Sequence, residues 1–241
     1  MAGDDTTPEG EQVNIYGNHV GSWNFAATAY LNRWKVKIYY EHYFDDHSQM
    51  FFQYGRWKDG HIGLEITFPK NRFIDTFVYE GLGTKDQTGP MLYDSFWGEF
   101  EEQISAKDNY YNHYLYQGWQ HWGMGIGNPL LPGPIYNKNG QITFISNRVL
   151  AHHIGFCGSP CQSLSYRMLL SYSRHWGTYD NPLNEIKKQF NSLFEVTYAP
   201  QQLKGWSFTV SGAMDRGSIL GNNYGGMLVI RKQGIIKSGN K

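Results

Sequence analysis

Residues 162–175 read QSLSYRMLLSYSRH. Leu164, Tyr166, Met168, Leu170 and Tyr172 occupy alternate positions, and Ser163, Ser165, Arg167, Ser171 and Ser173 lie between them. Successive side chains of an extended chain point to opposite faces, so this alternation predicts a β-strand with one apolar and one polar side. The same pattern recurs in both directions along the chain. In 34–44, Trp34, Val36, Ile38, Tyr40 and Phe44, interrupted by His42, oppose Lys35, Lys37, Tyr39 and Glu41. In 61–69, Ile62, Leu64, Ile66 and Phe68 oppose His61, Gly63, Glu65 and Thr67. Phe190, Phe194, Val196 and Tyr198 oppose Glu195 and Thr197, and Trp206, Phe208, Val210 and Met214 oppose Ser207, Thr209 and Ser211. Residues 73–84 and 142–156 are apolar on both sides in places.

Nine strands are expected, at 18–31, 34–44, 61–69, 73–84, 142–156, 162–175, 190–199, 205–215 and 223–232. Many exceed the usual ~5–6 residues and match the ~9–11 that a strand needs to cross a bilayer. Short turns are expected at Asn32-Arg33, Lys70-Asn71, Gly158-Ser159-Pro160 and Gln201-Gln202, alternating with longer connections at 45–60, 85–141, 176–189 and 216–222. Sorting loops by length between the two ends of a sheet is how outer-membrane barrels are built, with short periplasmic turns and long outer loops. The fold class expected is therefore all-β, an antiparallel transmembrane β-barrel. Its polar side carries Lys35, Lys37, Glu41, Glu65, Arg167, Glu195 and Arg231. Each Lys or Arg would cost ~2–4 kcal/mol against lipid at the midplane, so this side is expected to face a wet or plugged interior. Nine is odd, whereas complete single-chain barrels have even counts, so the expectation is half of a barrel of about eighteen strands.

Composition is consistent with that class. The 241 residues include 18 Tyr, 14 Phe, 8 Trp and 28 Gly, with 40% hydrophobic and 17% charged residues. Basic and acidic residues balance at 21 each, which removes the cationic footprint of a nucleic-acid binder. No run approaches the ~18 apolar residues of a membrane-spanning helix, a test that alternating strands escape. Residues 1–17 and 233–241 read as polar tails around a barrel segment at 18–232. Met1-Ala2-Gly3-Asp4-Asp5 has neither the basic nor the apolar region of a secretory signal, so an outer-membrane location implies a piece of a longer chain.

Candidate chemistry concentrates in the connection 85–141. It holds Tyr110, Tyr111, Asn112 and His113, then Trp119, Gln120, His121 and Trp122. Aromatic faces cover the apolar C–H faces of a pyranose, and amides and imidazoles read its hydroxyls, so these eight are the candidate glycan-binding residues. The same aromatics would equally serve a self-packed lid or an interfacial girdle. Phe96, Phe100 and Ile104, with Glu99, Glu101 and Glu102, predict a short helix within 94–107, and Asn181-Pro182 with Leu183, Ile186 and Phe190 predicts a second.

Other motifs carry less. Gly123, Gly125 and Gly127 form G-x-G-x-G, but Pro129 and Pro132 follow where a phosphate-binding helix would stand. His152 and His153 are neighbours on a strand, so they point apart and cannot share a metal; hydrogen bonding inside the barrel is the expected role. Cys157 and Cys161 flank an expected turn, which leaves open both a hairpin disulfide and free thiols. No nucleophile elbow or H-E-x-x-H is present, so no catalytic residue, metal or cofactor is assigned.

Several stretches together resemble the C-terminal half of the Wzi-type capsule-assembly proteins of Bacteroidota. They are Phe52–Leu64 (FQYGRWKDGHIGL), Tyr79–Pro90 (YEGLGTKDQTGP), Tyr110–Asn137 (YYNHYLYQGWQHWGMGIGNPLLPGPIYN), Asn147–Phe156 (NRVLAHHIGF), Tyr166–Pro182 (YRMLLSYSRHWGTYDNP), Phe194–Tyr198 (FEVTY) and Gly225–Lys232 (GGMLVIRK). The resemblance implies an eighteen-stranded outer-membrane barrel acting as a surface lectin, which helps attach capsular polysaccharide without a catalytic step. Its expected partners are that polysaccharide and the lipid of the cell outer membrane, and no nucleic acid. Two other functions fit the residues alone: a porin or hydrolase barrel, and a soluble carbohydrate-binding β-sandwich.

Overall fold

A computed structural model of the chain describes residues 21–44, 59–71, 73–85, 110–112, 119–179 and 181–234. These residues form an all-β molecule. The long strands are β1 (Gly21–Leu31), β2 (Trp34–Phe44), β3 (Gly60–Thr67), β4 (Thr76–Gly83), β7 (Val149–Cys161), β8 (Leu164–Gly177), β9 (Pro182–Tyr198), β10 (Trp206–Gly217) and β11 (Asn223–Lys232). Two short ones, β5 (Gln120–His121) and β6 (Met124–Gly125), lie in the connection between β4 and β7. The nine long strands form one antiparallel sheet in sequence order, each paired with its neighbours in the chain. The sheet is open, with β1 and β11 as its edges.

The period-two pattern sets which residues share a face. Directly opposed residues of an antiparallel pair share a face. Ile38, Leu64, Tyr79, Ile154 and Leu170 therefore form one row across five strands. Val36, Ile66, Phe77, Phe156, Met168 and Phe194 form the next row on the same side. Most of these side chains are half-buried and none is fully buried, while Ile38 is 55% exposed and Val210 and Leu228, farther along the same side, 60% and 65%.

The opposite side carries a polar network, interrupted by one apolar row of Val78, Leu169 and Leu193. The Tyr39 hydroxyl donates to Glu80 Oε1, passing over Gly63. His61 Nε2 stands 3.5 Å from Glu80 Oε1, and its Nδ1 lies 3.8 Å from Glu41 Oε2. Lys35 pairs with Glu65 at 3.5 Å and Arg167 with Glu195 at 3.3 Å. Asn191 Nδ2 donates to Asp215 Oδ1 at 2.7 Å, and Thr197 and Thr209 share a hydrogen bond of 2.8 Å.

Several boundaries differ from the sequence reading. The second expected helix is absent: Pro182 begins a 17-residue strand that pairs with β8 at Pro182 and from Lys187 onward, and with β10 from Gln189 onward. Proline is tolerated at a strand's first residue, and the pairing of Pro182 with β8 and of residues 189–198 with both β8 and β10 outweighs the weak helical spacing of Leu183, Ile186 and Phe190. With β8 and β9 extended, their connection shrinks from the expected 176–189 to 178–181. The expected alternation of short and long loops therefore holds clearly only for the first half of the sheet. Residues 142–148 belong to the loop rather than to β7. The turn expected at Gly158-Ser159-Pro160 falls at Gln162-Ser163, because a register shift between Gly158 and Cys161 absorbs Pro160 within β7. The helix expected within 94–107 lies outside the described residues.

His152 and His153 point apart, as adjacent strand residues must. His153 Nδ1 lies 2.7 Å from Ser171 Oγ on the polar side. His152 is on the apolar side, where its Nδ1 is 2.8 Å from the Tyr79 hydroxyl. Cys157 and Cys161 are free thiols. Cys157 opposes Arg167 and Cys161 opposes Leu164, three residues along β8. That spacing is on the order of 10 Å at ~3.3 Å per residue, beyond the ~7 Å a disulfide can span.

Candidate functional site

The described part of the long β4–β7 connection is built from side chains that substitute for missing backbone ladders. Thr84 continues the pairing of β4 with β7. Its N–H donates to Val149 O at 2.9 Å, and its hydroxyl donates to Asn147 O at 2.6 Å while accepting from Val149 N–H at 2.8 Å. Asn147 Nδ2 then donates to Tyr110 O at 2.8 Å. Tyr110 is buried, with its hydroxyl 3.2 Å from Asp59 Oδ2 and its ring edge-on to Tyr43 at 5.7 Å. Asn112 acts like one residue of a strand: Nδ2 donates to Phe144 O and Oδ1 accepts from Phe144 N–H, both at 2.8 Å.

These bonds hold a small core. Leu131 and Phe144 from the loop pack with Val149 and Ala151 of β7, flanked by Leu82, Leu130 and Tyr111. Ala151 opposes Leu82 and Ser173, in the same row as His61, so it stands on the charged side of the sheet. The loop thus folds over the polar side at the end of the strands, not over the apolar side. Burial of hydrophobic residues in the described structure is confined to this junction: Tyr110, Leu131, Phe144, Val149 and Ala151.

On this base stands a hairpin. Gln120 opposes Gly125 and His121 opposes Met124, leaving Trp122-Gly123 as a two-residue turn. Both have positive φ, +53° at Trp122 and +78° at Gly123, the pattern of a type I′ turn. Such turns favour Asn-Gly, because a bulky residue in the left-handed region is strained. Tyr111 and Trp119 also have positive φ, at +67° and +56°. Each such residue costs about 1–3 kcal/mol, which the surrounding structure must offset. The hairpin is fixed at its stem by Ile126 N–H donating to Trp119 O at 2.8 Å. At its tip, Ile135 N–H donates to Gly123 O at 2.9 Å. Gly125 lies on Phe144, where an added Cβ would come within 2.9 Å of the ring.

The structure separates the candidate residues by environment. Tyr110, Tyr111 and Asn112 are committed to the loop's own packing, and the Gln120 amide donates to Ile142 O at 3.0 Å. Trp119 is half-buried at the stem. His121 and Trp122 are exposed at the tip, ring edge to ring face at 6.1 Å, and Trp122 is 85% accessible. His113 lies outside the described residues. The three glycines of the G-x-G-x-G run serve the hairpin, as a turn residue (Gly123), a contact with Phe144 (Gly125) and a second positive-φ position at +91° (Gly127). Sequence reading missed Ile135 and Tyr136, exposed on a 3₁₀ turn that abuts the hairpin. The signal was the Pro132-Gly133-Pro134 run just before them, which marks a fixed turn. Among the described residues no group of three or more His, Cys, Asp or Glu is arranged to hold a metal.

No family model matches the chain, and no curated protein matches it.

Proposed function

We propose that the chain is the wall and one outer loop of an outer-membrane β-barrel that binds a surface glycan and acts by binding, not turnover. One observation carries the membrane part: apolar rows cross the whole sheet on one side, half-buried to exposed and none fully buried, while the charges pair on the other. In water this arrangement would leave an apolar face far larger than the few hundred Å² a soluble monomer usually shows. In a bilayer it is the expected arrangement. Edges β1 and β11 would each leave backbone groups unpaired in hydrocarbon, so the proposal includes further strands that close the sheet.

The binding part rests on the loop. Its framework packs on the charged side of the sheet and presents uncharged aromatic and polar groups outward, which favours a glycan binder over an open pore. The resemblance to Wzi-type proteins points to capsular polysaccharide as the ligand class. Isothermal titration of the detergent-solubilised protein with purified capsular polysaccharide tests this. Saturable heat is expected, and its absence at high polysaccharide concentration would remove the proposal.

A further inference from the structure

We propose that Trp122 is the stacking platform of a subsite for neutral pyranose units. Its indole takes the C–H face of a sugar ring, and the His121 imidazole beside it reads a hydroxyl. This rests on the glycan-binding reading above and adds the position and the chemical class of the sugar.

Four observations converge. Trp122 occupies a turn position that folding alone would give to Asn, and at φ +53° the bulky residue is strained there. At 85% exposure it returns little packing for that strain, so the fold gives no reason for an indole at this point. The tip is held in place nonetheless, by Ile135 on Gly123 and by Phe144 beneath Gly125, so the ring is presented from a fixed base. The loop core beneath it sits on the charged side of the sheet, whereas a tryptophan of an interfacial girdle would stand on the apolar side.

The chemical class follows from charge. From Asn109 to Asn137 the chain contains no Asp, Glu, Lys or Arg. A site for phosphate, sulfate or an acidic peptide would place cations there. An aromatic face flanked by imidazole and amide groups instead suits the alternating C–H and O–H surface of an uncharged pyranose. Recognition of this kind is insensitive to screening by salt.

The test uses the whole protein in detergent against an array of neutral and acidic pyranose oligosaccharides, with the strongest binder then titrated. Trp122→Asn places the favoured residue in the I′ turn, so the hairpin is kept and only the indole is lost. Affinity is expected to fall about tenfold or more, to be partly retained in Trp122→Phe, and to stay level between about 0.05 and 0.5 M salt. Resistance of the loop to protease should be unchanged or higher in Trp122→Asn, which separates lost binding from lost structure. If the intact protein binds an oligosaccharide and Trp122→Asn binds it equally well, the subsite is overturned while glycan binding stands. A preference for acidic sugars that vanishes with salt overturns the assigned class. If the intact protein binds nothing on the array, the glycan-binding reading itself fails.

Discussion

The Tyr39 hydroxyl reaches across Gly63 to donate to Glu80, tying three adjacent strands on the charged side of the sheet. Only glycine permits this crossing, since a Cβ at position 63 would overlap the Tyr39 ring. The bridge also sets the geometry of Glu80 toward His61, 3.5 Å away. Gly63→Ala should therefore displace the tyrosine and lower stability by about 1–3 kcal/mol, the usual cost of overpacking. Urea unfolding followed by tryptophan fluorescence measures this, and Tyr39→Phe should show a smaller loss with no steric component.

Asn112 supplies two hydrogen bonds to the backbone of Phe144, and Phe144 is the largest side chain of the loop core. Asn112→Ala strands one donor and one acceptor in a part-buried place, at about 1–3 kcal/mol each. Limited proteolysis should find the loop cut faster in this variant while the strands stay protected. Equal protection of the variant and parent loops would show that Asn112 does not hold the loop.

Leu170 and Ser171 are neighbours in β8 on opposite faces of the sheet. If the apolar side meets lipid, Leu170→Lys should cost about 2–4 kcal/mol near the midplane, while Ser171→Lys beside the polar network should cost far less. A solvated sheet would tolerate both alike. Folded yield in lipid vesicles, read by heat-dependent gel mobility, distinguishes the two.

The register holds Cys157 and Cys161 too far apart for a bond between them. Thiol titration of denatured, unreduced protein should find both cysteines reactive, and reductant should leave thermal stability unchanged. Recovery of no free thiol would contradict the register around the bulge.

Alternation made the sheet legible in the sequence. That Ile38 shares a face with Leu64, and Leu170 with Ile154, follows from side-chain period, because a slip of one residue would reverse every face, whereas the exact register also depends on where the turns fall. Strand ends were less legible. Leu183, Ile186 and Phe190 carry a helical spacing that the pairing of Pro182 with β8 and of Phe190 with β8 and β10 overrides, and nothing local marks that competition. Within the loop, composition pointed to Tyr110, Asn112 and Trp122 alike. Which of them packs and which is presented depends on partners distant in the chain, such as Asp59 for Tyr110 and Phe144 for Asn112. The strain at Trp122 could be read in part, since Trp-Gly stands where a hairpin turn prefers Asn-Gly.

Spin labels placed singly along β8 at 164–173, in a background with Cys157 and Cys161 changed to Ser and the protein in lipid bilayers, test the membrane orientation of the sheet most directly. Labels at Leu164, Tyr166, Met168 and Leu170 should collide freely with oxygen dissolved in the bilayer and be shielded from a water-soluble nickel chelate. Labels at Ser165, Arg167, Ser171 and Ser173 should show the reverse, with a period of two. Uniform access of the nickel chelate to both sets would contradict a lipid-facing apolar side.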